Sequence, residues 1–251
     1  MKKLLLLKII VKNIFRFHPR YVYLLRKNKV QNKTVKIEKK NIFIITSCIN
    51  VKDDIDYHIH NPEHTATKRL SEAVVGLKSV RSFYKNSYII FIESSKLSKE
   101  SESEINSLVD EYYNYSEAKA IRIARKHFNK GVPQFAALAK FIEENCDNYC
   151  ADIFHFLGAR YSLTANITDN KSFSTGAYFL HYPEHNNVST RYFFISNLTL
   201  SEIIKPFRKT LYCAMAGASV EDFISCFFLK RAPLKKLGIQ GLVNGKEIIY
   251  E

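Results

Sequence analysis

The residues best suited to chemistry stand together in FLGARYSL (156–163). An apolar strand there delivers Gly158, Arg160 and Tyr161 into the loop at its carboxyl end. Glycine permits close approach of backbone to a ligand. Arginine presents a planar fork that matches phosphate or carboxylate. Tyrosine adds a stacking face and a hydroxyl. The competing reading is a buried arginine that ties two loops together. Arg191, in STRYFFIS (189–196), is a second cation beside a strand. Glu221 and Asp222, in SVEDF, are a pair of carboxylates suited to proton transfer. They read equally as first-turn acids facing a helix dipole after Ser219 as cap.

Other groups are weaker candidates. Asp54 and Asp56 form an Asp-x-Asp pair, which suits hard cations such as Mg or Mn, but an Asp-rich loop produces such a pair by chance. His155 stands between apolar residues and reads as a packed core histidine. Lys68, Arg69 and Arg81 fall on one helical stretch, and of these Arg69 is the ligand candidate. No Walker A, GxGxxG, GxSxG or HExxH sequence occurs, so those phosphate cradles and catalytic signatures find no support. The five cysteines are odd in number and scattered, so they read as reduced thiols rather than a disulfide framework.

The elements that must position these residues alternate. NIFIITSCIN (41–50) reads as a buried first strand running into a ligand-side loop that carries Ser47 and Asn50. Leu70, Val74, Leu77 and Val80 recur at helical spacing over 65–84. SYIIFIES (87–94) is a second buried strand. A helix follows over 98–110 with Ser98 as cap, then a short strand within 109–115, helices over 117–128 and 133–145, and a strand over 152–158. Strands alternating with helices imply an α/β fold with a mainly parallel sheet flanked by helices. Ligands of such sheets sit at the carboxyl ends of strands. Beyond 172 the pattern changes to short strands, helices over 200–212 and 219–230, and a turn-rich hairpin in LGIQGLVNGKEIIY.

The chain of 251 residues carries a formal charge of +14, and the distribution of that charge is uneven. Residues 1–40 hold thirteen Lys or Arg and one acid, while the other 211 residues are nearly balanced. The expected organisation is therefore a basic arm with linker over 1–40 and an α/β domain over 41–251. Lys8, Lys12 and Arg16 form one helical stripe within 2–18, and Leu and Ile fill most of the remaining surface. The apolar run Leu4–Leu7 falls far short of the roughly 20 residues of a spanning helix. A basic amphipathic segment of this kind suits an anionic membrane surface; a signal peptide and a helix packed on its own domain are the alternatives. Nucleic acid is disfavoured, because the body lacks a basic face.

Several segments together resemble a family of bacterial and phage-encoded glycosyltransferase-like proteins of surface-polysaccharide gene clusters. They are NIFIITSCIN, the Arg69-x11-Arg81 spacing, YIIFIES, KGVPQFAAL (130–138), IFHFLGARYSL (153–163), STRYFFIS, and ASVEDFISCFFL with KLGIQGLVNGKE near the end. The resemblance implies a GT-A-like fold, a nucleotide-sugar donor, and a lipid-linked or polysaccharide acceptor. It places the 156–160 strand end where other members of that fold carry Asp-x-Asp; this chain has Leu-Gly-Ala-Arg-Tyr instead. Without a metal, Arg160 and Arg191 would offset the leaving diphosphate, with Ser47, Asn50, Arg69, Gly158 and Tyr161 completing the donor site. Glu221, with Asp222 beside it, would take the acceptor proton in an inverting transfer. A divalent Mg or Mn ion stays open as cofactor. The implied location is cytoplasmic, peripheral on the inner face of the membrane. The alternative function is a non-catalytic nucleotide-sugar or glycan-binding protein of a polysaccharide assembly system.

Overall fold

The computed structural model describes residues 36–51, 65–127, 129–168, 171–185, 187–243 and 247–251. The amphipathic segment 2–18 and the Asp54/Asp56 pair lie outside the described residues. Among the described residues, no helix is long and apolar enough to cross a membrane.

The first half of the chain builds a parallel sheet. Strand β1 (Ile37–Ser47) is followed by α1 (Ala66–Phe83), β2 (Tyr88–Glu93), α2 (Lys99–Asn106) and β3 (Glu111–Asn114). Helices α3 (Lys119–Ala124) and α4 (Gly131–Asn145) then lead to β4 (Tyr149–Gly158). A short β5 (Tyr161–Leu163) leaves the main sheet. The second half contributes β6 (Gly176–Tyr182), β7 (Asn187–Val188), β8 (Tyr192–Ser196), α5 (Leu200–Met215), α6 (Val220–Phe223) and β9 (Arg231–Leu234). It closes with the antiparallel hairpin of β10 (Ile239–Val243) and β11 (Glu247–Tyr250).

The main sheet runs β3-β2-β1-β4-β8-β6-β7, with β9 added to β6. Strands β1 to β4 pair in parallel, and β8 joins β4 antiparallel. The order moves outward from β1 to β3, then returns to place β4 on the other side of β1. That reversal opens a crevice at the carboxyl ends of β1 and β4.

Both faces of the sheet are covered, which explains the unbroken apolar runs. Ile42, Ile44, Ile90, Ile92, Phe154 and Phe156 face α4 and α5. Their neighbours Phe43, Ile45, Ile89, Phe91, Ile153 and Leu157 face α1 and the β5–β10 side. Burying each such side chain contributes roughly 1.5–3 kcal/mol. His155 belongs to the second layer. It is fully buried, stacks on Phe43 at 4.1 Å between ring centres, and meets the Tyr192 hydroxyl at 2.8 Å and Asn41 Oδ1 at 2.9 Å. Burial lowers its pKa to about 3, so it is a neutral core residue.

Several boundaries differ from those expected: the helices expected over 98–110 and 117–128 are the shorter Lys99–Asn106 and Lys119–Ala124, and β4 starts at Tyr149 rather than 152. Strand β1 starts at Ile37, four residues before the expected 41, because β4 extends alongside it from Tyr149. The helix expected over 219–230 is one α turn, α6, and a 3-10 turn over Ile224–Phe227. Ser219 donates its hydroxyl to Glu221 rather than accepting from the helix backbone, and β9 requires extended chain from Arg231.

Candidate functional site

The crevice at the ends of β1 and β4 is a cleft of about 1220 Å³. That exceeds the volume that suits one drug-sized ligand. Thr46, Ser47 and Cys48 enter it from β1, and Gly158, Ala159, Arg160 and Tyr161 enter from β4.

The β4 loop is wedged between strands. Ala159 N–H donates to Thr46 O at 3.0 Å, and Gly158 N–H donates to Arg191 O at 2.9 Å. Glycines let other segments close on it. A Cβ at Gly76 of α1 would lie 2.8 Å from Tyr161 O, and one at Gly241 of β10 would lie 2.4 Å from Tyr161 Cδ1. Tyr161 is consequently buried, and its ring is part of the packing rather than a free stacking face. Arg160, at the tip of the loop, is half-buried and lines the cleft, and its guanidinium has no hydrogen-bond or ion-pair partner among the described residues. Behind it, both carboxylate oxygens of Glu72 are buried without a hydrogen bond. Burial raises the Glu72 pKa, against the opposing pull of Arg160, Lys68 and Arg69.

The loop after β1 is held by Glu93 at the end of β2. Glu93 is fully buried, and burial raises its pKa. Its Oε1 accepts from Ile49 N–H at 3.2 Å and Ser95 N–H at 2.7 Å. Arg69, buried on α1, donates to Cys48 O at 2.7 Å, and Arg125 donates to Asn50 O at 3.0 Å. Asn50 itself turns to Ser95 and Lys96.

A second wall comes from the turn between α3 and α4, where Arg125, Lys126 and Lys130 add positive charge. Asn129 fixes this turn. Its Nδ2 donates to Ala214 O at 3.0 Å and Ala218 O at 2.7 Å, and its Oδ1 accepts from Gly131 N–H at 2.9 Å. Gln134 on α4 donates to Thr46 Oγ1 at 3.3 Å, linking this wall to β1.

The third wall carries Arg191 and Glu221. Glu221 accepts from Thr190 Oγ1 at 3.0 Å and from the Ser219 hydroxyl. Arg191 donates to Tyr182 at 3.0 Å and pairs with Glu251. Burial opposes its charge, but Glu251, Tyr161 and Tyr182 outweigh that effect and raise its pKa.

Of the residues expected at the site, Ser47, Arg69, Gly158, Arg160, Tyr161, Arg191 and Glu221 line this one cleft. Asn50 and Asp222 stand off its wall. Arg191, expected to meet a diphosphate, is already paired with a carboxylate. Arg81, the second arginine of the x11 spacing, ties α1 to Asp110 at 2.7 Å and to Ser87 O, away from the cleft. Sequence reasoning passed over Glu93, Arg125, Gln134, Tyr182 and Glu251. A signal existed for Glu93, an acid that ends an otherwise apolar strand.

The β4 end is cationic and carries no carboxylate from Leu157 to Tyr161. Among the described residues, no three His, Cys, Asp or Glu side chains gather in a way that would hold an ion.

No family model matches the chain, and no curated protein matches it. Solved structures share its general course. The galactosyltransferase LgtC in complex with donor and acceptor sugar analogues is 8% identical with a TM-score of 0.47, over 76% of this chain and 72% of that one. Core-mannan synthase A (CmsA/Ktr4) from Aspergillus fumigatus, in an Mn/GDP form, is 8% identical with a TM-score of 0.45, over 81% and 73%. The bifunctional glycosyltransferase WbbM is 9% identical with a TM-score of 0.47, over 82% and 40%. These are likenesses of chain course alone.

Proposed function

We propose that this chain is a glycosyltransferase that moves a sugar from a nucleotide-sugar donor to a lipid-linked or polysaccharide acceptor. One observation carries the reading: the Arg160 guanidinium, which makes no hydrogen bond or ion pair among the described residues, stands in a substrate-sized cleft at the point where the parallel strand order reverses. A diphosphate is the ligand that such a cation, with Arg69 behind it and backbone on both sides, suits best.

The roles follow from position. Arg160 faces the charge that grows on the diphosphate as the bond from the sugar's anomeric carbon to the phosphate oxygen breaks. The Ser47–Cys48 loop, held by Glu93 and Arg69, forms the floor below the nucleotide. Glu221, across the cleft, receives the proton of the acceptor hydroxyl as its oxygen bonds to the sugar, giving an inverting transfer. The network from Thr190 and Ser219 orients that carboxylate. Residues 2–18 would hold the enzyme on the inner face of the cytoplasmic membrane, where a lipid-linked acceptor is concentrated near the cleft. Removing residues 1–20 is expected to abolish sedimentation with anionic vesicles, and unchanged sedimentation would remove the membrane part of the reading.

A thermal-shift panel of UDP, GDP and CMP, with and without manganese, followed by donor-hydrolysis assays of the matching nucleotide sugars, tests the main reading. A ligand at about 100 times its dissociation constant stabilises the native state by about 2.7 kcal/mol. One nucleotide is expected to raise the melting temperature and its sugar conjugate to be slowly hydrolysed. Saturable binding without turnover would convert the reading to a non-catalytic binding protein, and absence of both would end it.

A further inference from the structure

Glu251 takes an unusual set of donors. Its Oε1 accepts from both the Arg191 guanidinium and the Tyr182 hydroxyl, and its Oε2 accepts from Ser189 Oγ at 2.9 Å. The three donors come from β6 and from the segment joining β7 to β8. That segment is built without Glu251: Ser189 N–H donates to Leu180 O at 2.9 Å, Tyr182 pairs with Asn187, and Arg191 O receives Gly158 N–H. Glu251 arrives separately, on the end of the β10–β11 hairpin, through a two-way backbone pair with Ile239 at 2.9 and 3.0 Å. Tyr182, Ser189, Arg191 and Glu251 all line the cleft. A guanidinium and two hydroxyls around one carboxylate would serve a phosphate equally well, since both present paired oxygens to the same donors.

We propose that Tyr182, Ser189 and Arg191 form a second oxyanion subsite of the cleft, for the phosphate group of a substrate, and that the Glu251 carboxylate is its resting occupant, displaced when that phosphate binds. The inference rests on the reading that the cleft takes phosphate-bearing substrates. A site filled by its own side chain binds ligand more weakly by the fraction of time it is open. Glu251 thus sets the threshold for ligand entry, and the hairpin end moves off the cleft wall as the subsite fills. The phosphate has two possible sources, the donor's diphosphate or a phosphate on the acceptor.

Calorimetry on the full chain tests this, with inorganic pyrophosphate as probe. Glu251→Gln is expected to tighten pyrophosphate binding at least about fivefold, a gain of about 1 kcal/mol. Ser189→Ala in that background is expected to reverse part of the gain. Glu184→Gln, which removes an exposed acid of the cleft rim two residues beyond Tyr182 that makes none of these bonds to Glu251, controls for general charge and is expected to change affinity less than about twofold. An unchanged affinity in Glu251→Gln, with only a lower melting temperature, would make Glu251 a structural clamp and overturn the proposal. Equal gains in Glu251→Gln and Glu184→Gln would overturn it too. Competition of UDP or GDP with pyrophosphate in Glu251→Gln assigns the subsite to the donor, and simultaneous binding assigns it to the acceptor. If pyrophosphate tightens as expected while no nucleotide binds any variant, the subsite stands and the transferase reading falls. If nucleotides bind and pyrophosphate is indifferent to Glu251, the reverse holds.

Discussion

The two ends of the parallel sheet are both rich in polar side chains, yet among the described residues they differ in how those side chains are used. At the amino ends of β2, β3 and β4, Glu111 accepts from the hydroxyls of Tyr88 at 2.7 Å, Tyr113 at 2.7 Å and Tyr149 at 2.6 Å. The Tyr113 and Tyr149 hydroxyls also meet each other at 2.7 Å. Burial, with the Glu111 carboxylate beside them, pushes all three phenols well above their ordinary range. Those hydroxyls are spent on that carboxylate and on one another. At the carboxyl ends, donors are aimed into a cleft, and Arg160 makes no hydrogen bond or ion pair among the described residues, although its charge is felt by Glu72. A count of polar residues therefore does not separate scaffold from site; whether their bonds are already spent does.

Three substitutions bear on that contrast. The largest effect is expected from Glu111→Ala at the amino end, which deprives three part-buried hydroxyls of their acceptor. A loss of about 3 kcal/mol should appear in urea denaturation, with nucleotide affinity unchanged. A loss of affinity instead would mean that the two ends are coupled and that the division between them is wrong.

His155→Phe probes the core between the ends and should cost about 2 kcal/mol at neutral pH, because Tyr192 and Asn41 lose a partner. Its pH dependence is more specific. The folded pKa of about 3 lies below the ordinary value of 6.5, so between those values the unfolded chain binds a proton that the native state does not. Stability of the native protein then falls as pH drops from 6.5 towards 3, by up to about 1.4 kcal/mol per unit from this group. The variant lacks that contribution, so its deficit should shrink on acidification. A deficit constant with pH would mean that His155 titrates normally.

Arg160→Ala is the smallest in energy and the sharpest in meaning. Stability should stay within about 0.5 kcal/mol, while affinity for the nucleotide that the thermal panel selects falls about tenfold, or about 1.4 kcal/mol. A fall in stability with intact affinity would make Arg160 part of the scaffold.

Much of the architecture was legible in sequence because covering both faces of a sheet demands continuous apolar strands. The runs at Ile42–Ile45 and Ile89–Ile92 could hardly be accommodated otherwise, and Thr65 and Ser98 cap α1 and α2 through their side chains. The Gly158–Tyr161 segment was legible as a loop at a strand end, and Arg160 stands where that reading put it. Tyr161 was harder, since a stacking platform and a packed ring have the same local sequence; Gly76 and Gly241 decide the matter from 85 and 80 residues away. Arg191 was legible as a cation, but not its pairing with Glu251, which depends on a hairpin returning from the far end of the chain. The short α6 departs from expectation for a similar reason: local spacing favours helix, and the pairing of β9 with β6 overrides it.

The bare flank of Gly241 ties the reach of Arg160 to the fate of residues 238–251. A methyl group there would fall 2.4 Å from the ring of Tyr161 and 2.9 Å from the carbonyl oxygen of Arg160, so that loop would have to shift. Trimming the chain after Leu237 should consequently act like a lesion in the loop itself, besides removing Ile249 and Glu251 from the cleft wall. The tail is a fastener, and the place it fastens is 80 residues upstream.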